Sequence, residues 1–462
     1  MGRRHHTPRP NLRAAFLIVL CRVVVRVFMR RVDVTGRHHV PHGRPMILIA
    51  NHSNGLADPV LLIGELGFFP RFLVAESMWR ITGLRALLEF AMCVPVARRR
   101  DAGDGADIAG TNDAAFRVCH EVLRDGGRVA IFPEGGVPND PRLTLPLRTG
   151  TARIALSALA DGTCEDLVVV PAGITYEERG RFRSQVALQI GAPIEVRPFL
   201  EAYRTDEIAA VRALTEAFGD GLTTVTRSHA SWREAEVVHA AAEVAVLSDA
   251  PDAPDVYARQ AVLQRDLGTA IAAHGGDSGM VYKGLEARID DLRERLEALG
   301  TRTPAEVVHL DPELARRRIS GLAAASAVLA PIGALGYALN ALPAATSYGL
   351  GLRITHPAWK ATAKGGSAVV TVPATYALEA WLAHRRWGRP GAAAVLVVAP
   401  ITGIVAIGWT ATLVELRRSV RAAGWARRPE PLAAARASRD AVVTEVTRIL
   451  ALPVDASRVP QA

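Results

Sequence analysis

The sequence predicts an α/β domain that is followed by a helical extension and a hydrophobic, membrane-embedded C-terminal third. Between residues 45 and 195, short β-rich runs alternate with helical stretches, which is the pattern of a largely buried sheet flanked by helices. From about residue 200 to residue 318, the sequence has no β-rich runs. Two uncharged runs follow, 319–352 and 390–414, and each exceeds the roughly 20 residues that a helix needs to cross a membrane.

The composition narrows the class of protein. Of the 462 residues, 49% are hydrophobic and 22% are charged, so we expect a soluble domain joined to membrane-associated segments. The formal net charge of +9 is typical of proteins that meet anionic membranes or phosphorylated substrates. We expect no nucleic-acid partner, because the basic residues accompany no nucleic-acid-binding motif. The four cysteines have neither paired nor ligand-like spacing, which indicates a reducing compartment without a disulfide framework or a zinc site.

Five segments of the α/β region have the composition of strands. Helical stretches lie between them, among them 111–125, whose apolar residues share one face. The predicted strands are 45–50, 71–76, 128–134, 167–176 and 185–194.

An apolar stretch at residues 14–29 precedes the predicted sheet. Arg22, Arg26 and Arg30 recur every four residues, so on a helix they form one polar stripe beside an apolar remainder. This pattern favours an interfacial helix that lies among lipid headgroups. The alternative is an ordinary amphipathic helix packed on the domain.

The remaining two thirds of the chain show helical periodicity and apolar runs. Segment 365–383 is a weaker membrane candidate, either re-entrant or a span whose Glu379 faces the protein interior. Arginine clusters flank the apolar runs, and the number and orientation of spans therefore stay open. In the helical extension, the residues with helical spacing before Gly300 are Leu285, Ile289, Leu292, Leu296 and Leu299. The predicted segments are 1–34 (interfacial helix), 35–200 (α/β domain), 201–318 (helical extension), 319–416 (membrane-embedded) and 417–462 (C-terminal amphipathic helix and tail).

The candidate chemistry follows the first predicted strand, where the sequence reads Asn-His-Ser-Asn-Gly-Leu-Ala-Asp-Pro from residue 51. His52 and Asp58 are six residues apart, so they do not pair on one helix as i, i+4 neighbours do. They can meet if His52 lies in a loop and Asp58 caps the next helix, with Pro59 at its first position. By themselves, these residues are explained at least as well by a helix cap and a loop histidine.

Further motifs follow in order along the chain. The ordered set resembles the glycerolipid acyltransferase family, which includes lysophosphatidate and glycerol-3-phosphate acyltransferases. The resemblance covers residues 35–200, and it is closest to the branch of dual glycerol-3-phosphate and dihydroxyacetone-phosphate acyltransferases. The motifs are Asn-His…Asp (51–58), Val-Pro-Val-Ala-Arg (94–98), Ile-Phe-Pro-Glu-Gly-Gly (131–136) and the run 170–194, which opens Val-Pro-Ala-Gly.

Two features depart from the commoner family pattern. Five residues rather than four separate the histidine and the aspartate of the first motif, and Val137 stands where the third motif commonly continues with an arginine. The longer spacing and the run Arg-Thr-Gly-Thr-Ala-Arg at 148–153 resemble the dual-acceptor branch. The missing arginine leaves part of the site for the acceptor's phosphate unfilled. Arg142 and Arg148 are the candidates to replace it, and the alternative is that both are solvated surface charges.

The resemblance implies acyl transfer from a thioester to a hydroxyl group. An alcohol is a poor nucleophile, so a base must accept its proton, and a neutral His52 in this role contributes roughly 10²–10⁴-fold in rate. Asp58 would accept a hydrogen bond from the other ring nitrogen and fix the tautomer. No serine or cysteine nucleophile is needed, because the acceptor's own hydroxyl attacks. The motif residues implied to bind the acceptor are Asn51, Arg98, Glu134 and Gly135.

The reaction implied is transfer from acyl-CoA or acyl carrier protein to glycerol-3-phosphate or dihydroxyacetone phosphate in phospholipid biosynthesis, without a metal or another cofactor. Acylation of lysophosphatidate is the alternative, and a non-catalytic lipid-binding or lipid-transport protein is a more remote one. We expect membrane lipids as partners and the catalytic domain on the cytoplasmic side of the cell membrane. Arg179, Arg181 and Arg183 receive no role, because a basic hairpin that touches headgroups explains them as well. His120 is expected to be structural and has no evident partner.

Overall fold

The structure is a computed structural model, and it describes residues 12–81, 83–98, 101, 108–251, 253–301, 303–355 and 357–453. The chain divides into two compact units, with the division after Ser228. The first unit therefore extends past residue 200, where the sequence suggested a boundary.

The first unit is built on a mixed sheet. Its described strands are β1 (Met29–Thr35), β2 (Met46–Ala50), β3 (Arg71–Ala75), β4 (Val94–Val96), β5 (Arg128–Ile131), β6 (Val168–Tyr176), β7 (Ser184–Ile190) and β8 (Ile194–Glu195). Their order is β1-β7-β6-β2-β5-β3-β4, with β8 also beside β6. The central strand β2 runs parallel to both β5 and β6, whereas β6 pairs antiparallel with β7 and β8.

Helices cover both faces of this sheet. They are α1 (Leu12–Phe28), α2 (Ala57–Leu66), α3 (Leu84–Phe90), α4 (Ile108–Arg124), α5 (Gly150–Ala160), α6 (Leu200–Thr205) and α7 (Glu207–Thr223). Because side chains alternate along a strand, β2 contributes to two cores. Ile47 and Ile49 pack with α4, α5 and α7. Met46, Leu48 and Ala50 pack on the opposite face with α1 and α2.

The five predicted strands all form, and the expected α/β fold is confirmed. The predicted strand 128–134 ends early, at Ile131, because the chain leaves the sheet there to build the site described below. Sequence reasoning missed β1, whose MRRVDVT sequence lacks an apolar run, and β4, which has three residues. Arg30 lies in β1 and not in α1, so the predicted stripe of three helical arginines is wrong at its third member.

Helix α1 packs on the domain through one face and exposes a second apolar face. Leu17, Cys21 and Val25 are buried, and a Cβ at Gly64 of α2 would lie 3.2 Å from the main chain of Cys21. The helix therefore combines domain packing with an outer surface suited to a membrane interface. Its exposed apolar residues are Leu12, Phe16, Val19, Leu20 and Val23.

The second unit consists of helices in the residues that the structure describes. They are α8 (Trp232–Asp249), α9 (Val256–Ala273), α10 (Met280–Ala298), α11 (Pro312–Leu339), α12 (Ala341–Arg353), α13 (Pro357–Gly424) and α14 (Pro429–Leu450). The apolar residues of α10 that the sequence singled out are buried in one core with α8, α9 and α14. Gly300 follows α10 with a φ of 80°, a left-handed conformation that favours glycine after a helix end.

Two described helices, Pro312–Leu339 and Thr362–Arg427, are long and apolar enough to cross a membrane. In the apolar stretch of each helix, 17% of the residues are buried. The second of these belongs to α13, which breaks at Gly388 (φ 67°, ψ −161°). Asn340, at the end of α11, accepts a hydrogen bond from Tyr376 before this break and donates one to the carbonyl of Ala399 after it. Both halves of α13 therefore pass the end of α11, where the short α12 turns back.

Gly173 in β6 provides a test of the packing beside the site. A Cβ at this position would lie 1.7 Å from the carbonyl oxygen of Val225, so Gly173→Ala must displace the segment that crosses the sheet there. We expect the variant to lose at least about 1–3 kcal/mol of stability, measured as a lower midpoint of thermal unfolding. Gly150→Ala is the matched control, because its Cβ would meet no atom within 4 Å. Equal midpoints for the two variants would contradict the packing described.

Candidate active site

The candidate site lies where the parallel strands of the sheet end. His52 follows β2, Glu134 follows β5, Arg98 follows β4, and Tyr176 closes β6. Ligands of open α/β sheets bind at this carboxyl edge. The strand order places β2 between β5 and β6, which brings the loops after these three strands together.

The carboxylate of Asp58 organises the loop between β2 and α2. Its Oδ2 accepts hydrogen bonds from the main-chain N–H groups of Ser53 and Asn54, both at 2.8 Å. The same oxygen lies 2.9 Å from Nδ1 of His52. Its Oδ1 accepts a hydrogen bond from the Tyr176 hydroxyl at 2.7 Å. The side chain of Asp58 is 0% exposed, so these donors compensate a fully buried charge.

The predicted capping arrangement is wrong in detail. Helix α2 begins at Ala57, with Leu56 as its N-cap, so Asp58 and Pro59 both lie in the first turn. The Asp58 side chain turns back to the preceding loop. It still benefits from the partial positive charge at the N-terminus of the helix.

The imidazole of His52 is held at one edge and on one face. Asp58 binds Nδ1, and the Phe132 ring stacks on the imidazole with 4.0 Å between centroids and 13° between planes. Since a carboxylate only accepts hydrogen bonds, Nδ1 carries the proton and Nε2 has the basic lone pair. The His52 side chain is 17% exposed, which leaves room for a reacting group.

Glu134 links two loops of the site. Its Oε1 accepts from the main-chain N–H of His52 at 2.7 Å, and its Oε2 accepts from that of Thr144 at 3.2 Å. Burial raises the pKa of Glu134, and these two hydrogen bonds act in the opposite direction. The family resemblance implied a contact with the acceptor. In the structure, both carboxylate oxygens hold the loops in place, and the contact with the acceptor stays a prediction.

Asn51 and Arg98 also bind main-chain groups of the protein. The Asn51 side chain donates to the carbonyl of Ile174 at 3.0 Å and accepts from its N–H at 2.7 Å, so it extends the pairing between β2 and β6. Nη1 of Arg98 donates to the carbonyl of Gly135 at 2.6 Å, and its Nε donates to Asp101. These two predicted binding residues therefore shape the loops that surround His52.

Arg142 and Arg148, the predicted replacements for the missing arginine, are both exposed. Gly135 has a φ of 73° and leaves space for the Arg148 side chain, whose Cγ would lie 3.1 Å from a Cβ there. Arg148 and Arg98 thus both lie next to Gly135, while Arg142 lies on the loop that Thr144 ties to Glu134.

Sequence reasoning missed Tyr176 and Phe132 as site residues, although both belong to recognised motifs. The signal was their position, because Tyr176 ends a predicted strand and Phe132 lies in the Ile-Phe-Pro-Glu-Gly-Gly motif, directly after the observed end of β5. The expectation that His120 has no partner is wrong. Its Nδ1 lies 3.0 Å from Asp161 and its Nε2 lies 3.0 Å from the Ser157 hydroxyl, so it joins α4 to α5.

Comparisons with known proteins identify similar sequences. Residues 31–175 match the family model described as Acyltransferase. Glycerol-3-phosphate O-acyltransferase 2 of Saccharomyces cerevisiae is 34% identical over 131 residues, which are 28% of this chain and 18% of that protein. 1-acyl-sn-glycerol-3-phosphate acyltransferase alpha of Ovis aries is 28% identical over 132 residues, which are 28% of this chain and 42% of that protein. The chain thus spans less than half the length of these relatives.

Among solved structures, the 1-acyl-sn-glycerophosphate (LPA) acyltransferase PlsC from Thermotoga maritima is 22% identical. The match covers 44% of this chain and 74% of that chain, with a TM-score of 0.31.

The Tyr176→Phe variant tests the role of the hydroxyl that binds Asp58. Removal of this donor leaves Oδ1 of a buried carboxylate unsatisfied, so we expect a loss of about 1–3 kcal/mol in unfolding free energy. We also expect slower acyl transfer, the activity proposed below, because Asp58 then holds the His52 ring less firmly. Denaturant unfolding and turnover of the same preparation measure the two effects. Tyr282→Phe, which removes a hydroxyl bonded to Glu286 in the second unit, should keep full turnover. Unchanged stability and turnover in Tyr176→Phe would contradict the assignment.

Proposed function

We propose that the chain is an O-acyltransferase that moves a fatty acyl group from a thioester to a hydroxyl of a glycerol-phosphate-type acceptor. The observation that carries this proposal is the pairing of His52 with the buried Asp58 at 2.9 Å, beside a ring nitrogen available for a substrate. The donor is acyl-CoA or acyl carrier protein, and His52 is the general base.

In the proposed reaction, Nε2 of His52 takes the proton of the acceptor hydroxyl as its oxygen attacks the thioester carbonyl carbon. Asp58 stabilises the imidazolium that forms and keeps the ring oriented. The tetrahedral intermediate collapses, the carbon–sulfur bond breaks, and the imidazolium returns its proton to the leaving thiolate. The reaction needs no metal or redox cofactor, because the thioester is already activated and the imidazole supplies the base.

We propose glycerol-3-phosphate or dihydroxyacetone phosphate as the acceptor, with the reaction serving phospholipid biosynthesis. The similarity to the yeast glycerol-3-phosphate O-acyltransferase and the longer spacing of the first motif support this choice. Lysophosphatidate is the second candidate, because the relative from Ovis aries acts on 1-acyl-sn-glycerol-3-phosphate by its name.

We further propose that the protein works at the cell membrane, with its α/β domain on the cytoplasmic side. The two long apolar helices and the exposed apolar face of α1 support membrane attachment. Arg316, Arg317 and Arg318 lie in the first turns of α11, and Arg417 and Arg418 lie near the end of α13. Because Arg318 and Glu415 pair at 3.9 Å, these two cationic clusters share one side, and the positive-inside rule supports our proposal that this side is cytoplasmic.

Acyl transfer from labelled palmitoyl-CoA and from palmitoyl-acyl carrier protein tests the proposal, with the three acceptors offered in parallel. We expect His52→Ala to lose roughly 10²–10⁴-fold in kcat/KM. His120→Ala is the matched control, because His120 also pairs with an aspartate but lies outside the site, and it should keep wild-type turnover. Equal turnover of His52→Ala and the wild type would overturn the role of His52. No product on any acceptor from folded wild-type protein would favour the non-catalytic lipid-binding alternative.

A further inference from the structure

Two arginines lie beside the His52 loop, Arg179 within the motif run 170–194 and Arg227 beyond the recognised motifs. Arg179 follows the end of β6, and its main-chain carbonyl accepts a hydrogen bond from the Asn54 side chain at 3.0 Å. Arg227 lies after α7, and its Nη2 donates to the carbonyl of Tyr176 at 3.0 Å. Asn54 and Tyr176 are also the neighbours of Asp58 in the hydrogen-bond network. Both arginines are therefore anchored to the residues that position His52.

The side chains of the two arginines lie within range of each other's charge. Arg179 is close enough to Arg227 for their positive charges to repel, and it also feels the charges of Asp58 and Glu134. Burial, and then the charge of Arg227, lower the pKa of Arg179, and its Nη1 atom is buried. Two adjacent cations at a partly buried site favour the binding of an anion, because desolvation and repulsion both disfavour their charged forms.

A third arginine lies on a loop that is tied to the same place. The main-chain N–H of Leu143 donates to the Ser228 hydroxyl at 3.2 Å, next to Arg227. The following residue, Thr144, donates to Glu134. The loop that carries Arg142 is thus fixed both to the Arg227 segment and to the His52 loop, which adds positive charge to the same side of the site.

We propose that Arg179 and Arg227 form the subsite for the phosphate of the acceptor, and that they supply the charge that is missing at Val137. This inference rests on the proposed function. Guanidinium groups bind a phosphate dianion through paired N–H donors, and two of them can share its oxygens. Such a subsite would hold the acceptor while its hydroxyl reaches His52. A phosphate of coenzyme A has the same chemistry, so the experiment must separate the two sources.

The test compares Arg179→Gln and Arg227→Gln with wild type as purified full-length chains in detergent. We expect the Kd for glycerol-3-phosphate, measured by titration calorimetry, to rise roughly 10- to 100-fold in each variant, the loss expected for a charge-assisted hydrogen bond. The Kd for inorganic phosphate should rise in parallel. The KM for glycerol-3-phosphate should rise while the KM for palmitoyl-CoA stays unchanged. Arg179→Lys, which retains the charge, should restore part of the affinity.

Arg181→Gln is the matched control, since Arg181 lies on the same hairpin but is exposed and paired with Glu178. An unchanged Kd for glycerol-3-phosphate in both Gln variants would overturn the inference, as would a rise in the KM for palmitoyl-CoA alone, which assigns the pair to coenzyme A. The binding measurement does not require turnover. Phosphate binding that depends on Arg179 in a protein without acyl transfer would therefore support the subsite and reject the proposed function.

Discussion

The geometry of the site depends on the buried carboxylate of Asp58. An unpaired charge in this position would be strongly destabilising, so the chain must bring donors to it. Two come from the main chain of the loop after β2, one is the Tyr176 hydroxyl at the end of β6, and one is the ring of His52. Because β2 and β6 are neighbours in the sheet, only the folded α/β domain can assemble this set.

Most motif residues around His52 act on the protein itself. Asn51 continues the pairing of β2 with β6, Glu134 joins two loops through main-chain N–H groups, and Arg98 fixes the carbonyl of Gly135. The result is an imidazole that is held in place in advance, as the proposed role of a base requires. We propose that recognition of the acceptor's phosphate then falls to Arg179 and Arg227 beside this loop.

The sequence predicted the fold class and the pairing of His52 with Asp58, because both follow from local patterns and from motifs in order. It could not predict Tyr176 as a partner of Asp58, since that contact joins positions 118 residues apart and depends on which strands are neighbours. The short strand β4 and the polar edge strand β1 lack the periodicity that identifies strands. The sequence assigned Arg179 no role and gave no reason to single out Arg227, because their proximity depends on the tertiary packing of the segment around Val225 against Gly173.

We infer that Asp58 holds His52 in the tautomer that leaves Nε2 free to act as a base. Turnover of Asp58→Asn with glycerol-3-phosphate and palmitoyl-CoA tests it most directly, because asparagine preserves the shape of the side chain and can donate to Nδ1. In that case the proton moves to Nε2 and the base is lost. We expect a fall in kcat of about 10³–10⁴-fold in protein whose circular dichroism spectrum is unchanged. A folded Asp58→Asn variant with wild-type kcat would contradict it.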